Sequence, residues 1–219
     1  IPNRIMSYRL FYAERSAAMG VRVVLEELAQ PYELIETDIS PYSPRSPALL
    51  ALNPNGWIPV LIWEKGVVYE CGAIVTFLCD RHPHAGLAPS VEDAERGKFL
   101  QWLFFFSNSL QNAYQMTYYP DRFSQEEKDQ GSVKQRSLTR LRELWQVVDN
   151  AIGDQQWLLG SQFTAVDIYL FMLTTWLRDE HGHPRAQEFN NVSRIATAVM
   201  KRPSVRMVYS SSHCVTDSF

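Results

Sequence analysis

The chain has 219 residues, 46% of them apolar and 12% aromatic, with a formal charge of -3. That much apolar material excludes a disordered chain and can bury a sizeable core, in one large domain or two small ones. With no dense Lys/Arg block there is no footprint for a nucleic-acid backbone or an anionic membrane, so the expected partner is a small molecule or a protein.

YRLFYA, from Tyr8 to Ala13, reads as a short strand, and Ala17 to Ala29 carries apolar residues at helical spacing. Tyr32 to Ile39 alternates apolar and polar residues as a second strand. The Pro-rich SPYSPRSPALLALNPN behind it suits a loop with at most a short helix. IPVLIW and VVYE read as strands parted by Glu64, Lys65 and Gly66, a turn of hairpin length in which Gly supplies positive φ. A helix then opens with CGAIVTFLCDRH. The stretch from His82 to Gly97, rich in Pro and Gly, reads as a linker with a new helix start at Ser90 or Asp93. It divides the chain into domains 6–83 and 92–219. Helical periodicity follows over 94–118, 124–152, 164–178 and 189–201, the last ended by KRPSV. The expected fold is an α/β first domain followed by an all-α bundle.

Cys71, Cys79 and Cys214 make no CxxC or Cys/His set for zinc, so no metal is expected, and they suit reduced thiols in a cytoplasm. No signal-peptide core and no run of about 18 apolar residues is found, and Met6 is taken as the natural start. A dinucleotide enzyme is set aside because no GxGxxG follows the first strand.

Three local patterns carry chemistry. Pro59 opens an apolar, central strand, where it removes a ladder donor. Either the Ile58–Pro59 bond is cis and turns the Ile58 main chain toward a ligand, or a trans Pro ends the strand. Glu70-Cys71 stands at a strand-to-helix junction, whose unpaired N–H groups and dipole seat a carboxylate. Glu70 then either takes a ligand ammonium or merely interacts with the helix start. Thr164 and Asp167 have the T-x-x-D spacing of a capping box, a folding element.

NPNGWIPVL, the hairpin, YECGAIVTFL and the helical second half containing FTAVDIYLFM together resemble the cytosolic glutathione transferases, most closely the bacterial ones, over nearly the whole chain. The resemblance implies a thioredoxin-like first domain and a cis Pro59. It implies that glutathione, as co-substrate, has its cysteinyl part on the Ile58 main chain and its γ-glutamyl part on Glu70 and Cys71. It also implies a homodimer. Cys71 departs from the family's hydroxyl at that place, although its backbone N–H remains to bind a carboxylate.

Such an enzyme must favour the glutathione thiolate, which a hydroxyl donor beside a helix N-terminus can do. Ser16, six residues ahead of Arg22, is the candidate catalytic residue, and its bland alternative is an ordinary N-cap. Tyr12, at the strand end, is read as packing or as a wall of the site. Ala17 stands where bacterial cysteine-using members carry Cys, which argues against a mixed-disulfide mechanism. In the aromatic run from Phe99 to Phe123, Tyr114, Tyr118 and Tyr119 are candidates for the wall of a hydrophobic acceptor pocket. The expected function is a glutathione transferase acting on a hydrophobic electrophile; the alternative is a protein of the same fold that binds or regulates without the chemistry.

Overall fold

A computed structural model of the chain describes residues 7–41 and 43–210; Met6 and Cys214 lie outside them. β1 (Tyr8–Tyr12) pairs in parallel with β2 (Tyr32–Glu36) and antiparallel with β3 (Val60–Trp63). β3 in turn pairs antiparallel with β4 (Gly66–Tyr69), so the four-stranded sheet has the order β2-β1-β3-β4.

Side chains alternate across β1. Tyr8, Leu10 and Tyr12 join the main core with α1 (Ala18–Glu27) and α3 (Cys71–Arg81). Phe11 packs with Leu49 and Val60 beneath α2 (Pro47–Leu52). Ser46 starts α2 by accepting the Leu49 N–H at 3.2 Å, with Pro47 in the first turn, where a missing N–H costs nothing. β2 stops at Glu36, short of the expected Ile39, because the Asp38 carboxylate takes the N–H and hydroxyl of Ser40 and curls the backbone out of the ladder.

The second half is helical: α4 (Arg96–Phe104), α5 (Gln111–Tyr118), α6 (Gln130–Ile152), α7 (Ala165–Thr174), α8 (Asn190–Met200) and α9 (Pro203–Tyr209). The single helix expected over 94–118 is interrupted by a π-helical turn, Phe105–Leu110. KRPSV ends α8 as expected, and Pro203 then opens a further short helix, α9, whose Val205, Val208 and Tyr209 are buried. α7 is buried along its whole length and forms the centre of the bundle. At its start, the Thr164 N–H and hydroxyl donate to Asp167 at 2.8 and 3.3 Å, and the Leu158 N–H adds a bond at 3.0 Å. The capping box thus also pins the preceding loop. Burial still pushes the Asp167 carboxyl up to about 6.

The two halves share one core. Gly20 lets α1 lie directly on α7, since a Cβ there would meet Met172 Sδ at 2.6 Å. Arg202, at the start of α9, donates two 2.7 Å bonds to Glu27 at the end of α1, and Ser204 donates a third. The whole is a thioredoxin-like βαβαββα unit followed by a helical bundle. The start of α1 and the start of α3 therefore sit side by side, facing α4 and α5.

Candidate functional site

The corner before β3 is built by two side chains. The Asn53 amide donates to the Trp57 carbonyl at 3.0 Å and its oxygen accepts the Asn55 N–H at 3.2 Å. Arg45 donates to the Gly56 carbonyl at 3.1 Å, and Gly56 has φ +69°, a conformation that favours glycine. A Cβ at Gly56 would also lie 2.9 Å from Arg45 Cγ. This clamp presents Trp57, Ile58 and Pro59 to a cleft of about 380 Å³, and the Ile58–Pro59 bond is cis.

Glu70 and Cys71 enter the same cleft from the β4–α3 junction. Glu70 holds φ +72° and ψ 120°, a sparsely populated conformation that costs on the order of 1–3 kcal/mol. Its side chain makes no capping bond, which leaves the exposed carboxylate available to a ligand. The Cys71 thiol donates to the Ala17 carbonyl at 3.7 Å, and burial pushes it up to about 12. Enclosed in this way, the thiol serves as a small packing group.

Ala17, at the start of α1, completes this side of the cleft. Ser16 is buried just behind it. The Ser16 hydroxyl donates to the Ala13 carbonyl at 2.7 Å and accepts the Ala18 N–H at 3.2 Å. It has one proton to donate, and that proton is in use. Tyr12 lies in the sheet core rather than in the cleft wall, its hydroxyl accepting from Arg22 at 3.5 Å and its acidity weakened by burial.

The opposite wall departs from the expectation of tyrosines. Ser107 and Asn108 from the π-helical turn, with Gln111, Asn112 and Gln115 from α5, line the cleft. Their spacing of one, four, five and eight residues traces one helical face, a signal present in the sequence but overshadowed by the aromatic residues around it. Tyr114 is not on that face. It is 1% exposed, donates to the Leu173 carbonyl at 2.7 Å and accepts from Trp145 at 3.1 Å, so its place is in the core. Tyr118 donates to the Trp176 carbonyl at 2.6 Å and meets His181 and His183 edge-on, again outside the cleft lining. Tyr119 acts at one remove: its ring lies 3.9 Å from the Arg122 guanidinium, and Arg122 lines the cleft while resting 4.7 Å from the Trp57 ring.

Charge is therefore divided between a carboxylate, Glu70, and a guanidinium, Arg122, with the Ile58 corner and two helix starts alongside. Among the described residues no group of three or more His, Cys, Asp or Glu side chains could hold a metal ion. Such a site suits a small zwitterionic ligand with a peptide-like middle.

Comparison with known proteins agrees with this class of fold. Residues 10–89 match the glutathione S-transferase N-terminal domain and residues 69–203 the glutathione S-transferase C-terminal domain, so the chain belongs to the glutathione S-transferase family. Glutathione S-transferase GstA of Escherichia coli O157:H7 is 27% identical over 170 residues, 77% of this chain and 81% of that protein. The relatives are not confined to bacteria: glutathione S-transferase-like protein gedE of Aspergillus terreus is 26% identical over 209 residues, 87% of this chain and 89% of that one. In fold, the chain superposes on a glutathione transferase homologue from Sulfitobacter with bound glutathione at a TM-score of 0.85 and 21% identity, covering 93% of this chain and 97% of the other.

Proposed function

We propose that the protein is a glutathione transferase that binds glutathione in the Ile58–Glu70 cleft and delivers its thiolate to an electrophile. The observation that carries this reading is the convergence of Ile58, Pro59, Glu70, Cys71 and Ala17 on one cleft. An extended glutathione lays its cysteinyl unit along the Ile58 main chain. Its ammonium meets Glu70, its γ-glutamyl carboxylate meets the start of α3 through the Cys71 N–H, and Arg122 provides a cation for its remaining carboxylate. The start of α1, whose Ala17 lines the cleft, favours the thiolate through its dipole, while the Ser16 hydroxyl keeps its proton on the Ala13 carbonyl. The acceptor is a hydrophobic electrophile whose apolar face lies on Trp57 and Phe123, with any polar substituent turned to the amide wall. The protein works as a cytoplasmic homodimer.

Titration calorimetry with reduced glutathione, followed by a conjugation assay with a chlorodinitrobenzene, tests the reading. Micromolar to low-millimolar binding with conjugate formation is the expected result, and absence of binding overturns it. A second reading, a binding protein that has kept the fold and lost the chemistry, is favoured by the engaged Ser16 hydroxyl and the protonated Cys71. Binding without turnover toward any of a panel of electrophiles would select it.

A further inference from the structure

We infer that the side-chain amide of Gln111 is the donor that holds the bound thiol as thiolate, and that Tyr169 is the residue that aims it; the inference rests on the glutathione reading above. The hydroxyl and thiol groups around the start of α1 are already engaged. Ser16 gives its proton to Ala13, Tyr12 stands in the sheet core against Arg22, and the Cys71 thiol is turned to the Ala17 carbonyl.

Gln111 differs from all three. It lines the cleft together with Ala17, Cys71 and Ile58. The buried Tyr169 hydroxyl, brought up by α7, donates to Gln111 Oε1. Because the amide oxygen is committed to Tyr169, the amide nitrogen is the end left for the cleft, and no hydrogen bond from it is found among the described residues. The amide would thus present N–H groups beside the start of α1, where the helix dipole already favours an anion.

The π-helical turn explains how Gln111 comes to this place. It ends at Leu110 and shifts the helical register directly before Gln111, and such turns frequently occur at functional sites. Nothing covalent is required of the amide. The glutathione S–H gives its proton to water, and the Gln111 N–H donates to the resulting anion, a bond stronger than the one it makes to a neutral thiol. Gln111 is then a catalytic residue, since it touches the reacting sulfur, and Tyr169 is a positioning residue.

The experiment follows the far-ultraviolet thiolate absorbance of saturating reduced glutathione against pH, in the unaltered protein and in Gln111→Met, Gln111→Glu, Tyr169→Phe and Ser16→Ala. Calorimetry on each protein verifies that glutathione is bound. Gln111→Met should raise the bound thiol's pKa by about one unit, a tenfold fall in its acid dissociation constant. Gln111→Glu should raise it further, because a carboxylate repels the thiolate. Tyr169→Phe should produce a smaller rise in the same direction, and Ser16→Ala little change. That order of charge effects is not expected of a residue that only packs. Titrations of both Gln111 variants that coincide with the unaltered protein's, with glutathione still bound, overturn the inference. So does a shift in Ser16→Ala that exceeds theirs. Failure of the unaltered protein to bind glutathione overturns the glutathione reading and this inference with it, which distinguishes the two failures.

Discussion

Glu70 holds a backbone conformation that is costly to the fold and leaves its carboxylate free in the cleft. Its backbone at φ +72° is unfavourable for a side chain with a Cβ, and its carboxylate makes no capping bond in return. Glu70→Gln keeps the shape and removes the charge, so glutathione affinity should fall by roughly tenfold or more while the melting temperature changes little. Calorimetric titration checks this, and equal affinities would leave the ammonium without its partner. His183 offers a test unconnected with the ligand. It is buried between Thr117, which contacts Nε2 at 2.9 Å, and the Arg178 N–H and Trp176 carbonyl at Nδ1. Burial lowers its pKa from 6.5 to about 4. The unfolded chain takes up this proton first, so the stability contributed by His183 is complete above about 6.5 and is lost as pH falls toward 4. In an NMR titration the ring should remain neutral at pH 5.5; a midpoint near 6.5 would mean that the ring reaches water.

The junction of α1 and α9 is where the two halves hold each other. Glu27 is 12% exposed in its side chain and Arg202 34%, and hydrogen bonds from Arg202 and Ser204 overcome desolvation to lower the Glu27 pKa. A carboxylate held below its unfolded value contributes stability that is present above about pH 4.5 and lost as pH falls through the folded value. Glu27→Gln should therefore destabilise the protein by about 1–3 kcal/mol at neutral pH, and the gap to the unaltered protein should close in acid. Urea unfolding at several pH values reads it, and a gap independent of pH would remove ionisation from the explanation. Neither partner was singled out from the sequence, because Glu27 and Arg202 are far apart in the chain and only packing makes them a pair. The helices themselves were legible. The start of α7 was read from Thr164 and Asp167, since a capping box is local, whereas the π-helical turn was missed because its residues fit a helical period as well as their neighbours do.

At the scale of the whole molecule, one face is unusually apolar. A groove of about 710 Å³ runs between α3 and α4 next to the cleft, lined by Phe77, Leu100, Leu103 and Phe104, and Phe104 is 68% exposed. A two-fold dimer built on this face would cover that surface and place the partner beside Glu70, Ser107 and Asn108, which border groove and cleft alike. Light scattering should give about twice 25.3 kDa at micromolar concentration. Phe104→Glu should shift the mass toward one chain and weaken glutathione binding. A monomeric mass for the unaltered protein would exclude the dimer.

What the sequence determined by itself is whatever depends on near neighbours in the chain. The strand and helix order, the capping box, and the placement of Ile58, Pro59, Glu70 and Cys71 at element ends follow from spacing and turn chemistry; so does the hairpin, although its turn is Glu64 and Lys65 alone, because Gly66 pairs with Trp63 as the first residue of β4 and does not take a positive φ. The tertiary structure decided which of the remaining polar groups are free to act. Ser16 looks like an available hydroxyl until Ala13 is seen to hold its proton, and Tyr114 looks like a pocket wall until Trp145 and Leu173 enclose it. Gln111 was one amide among several until Tyr169, a long way along the chain, engaged its oxygen. A side chain's availability is set by the partners that folding brings to it, and partners remote in sequence leave no periodic trace.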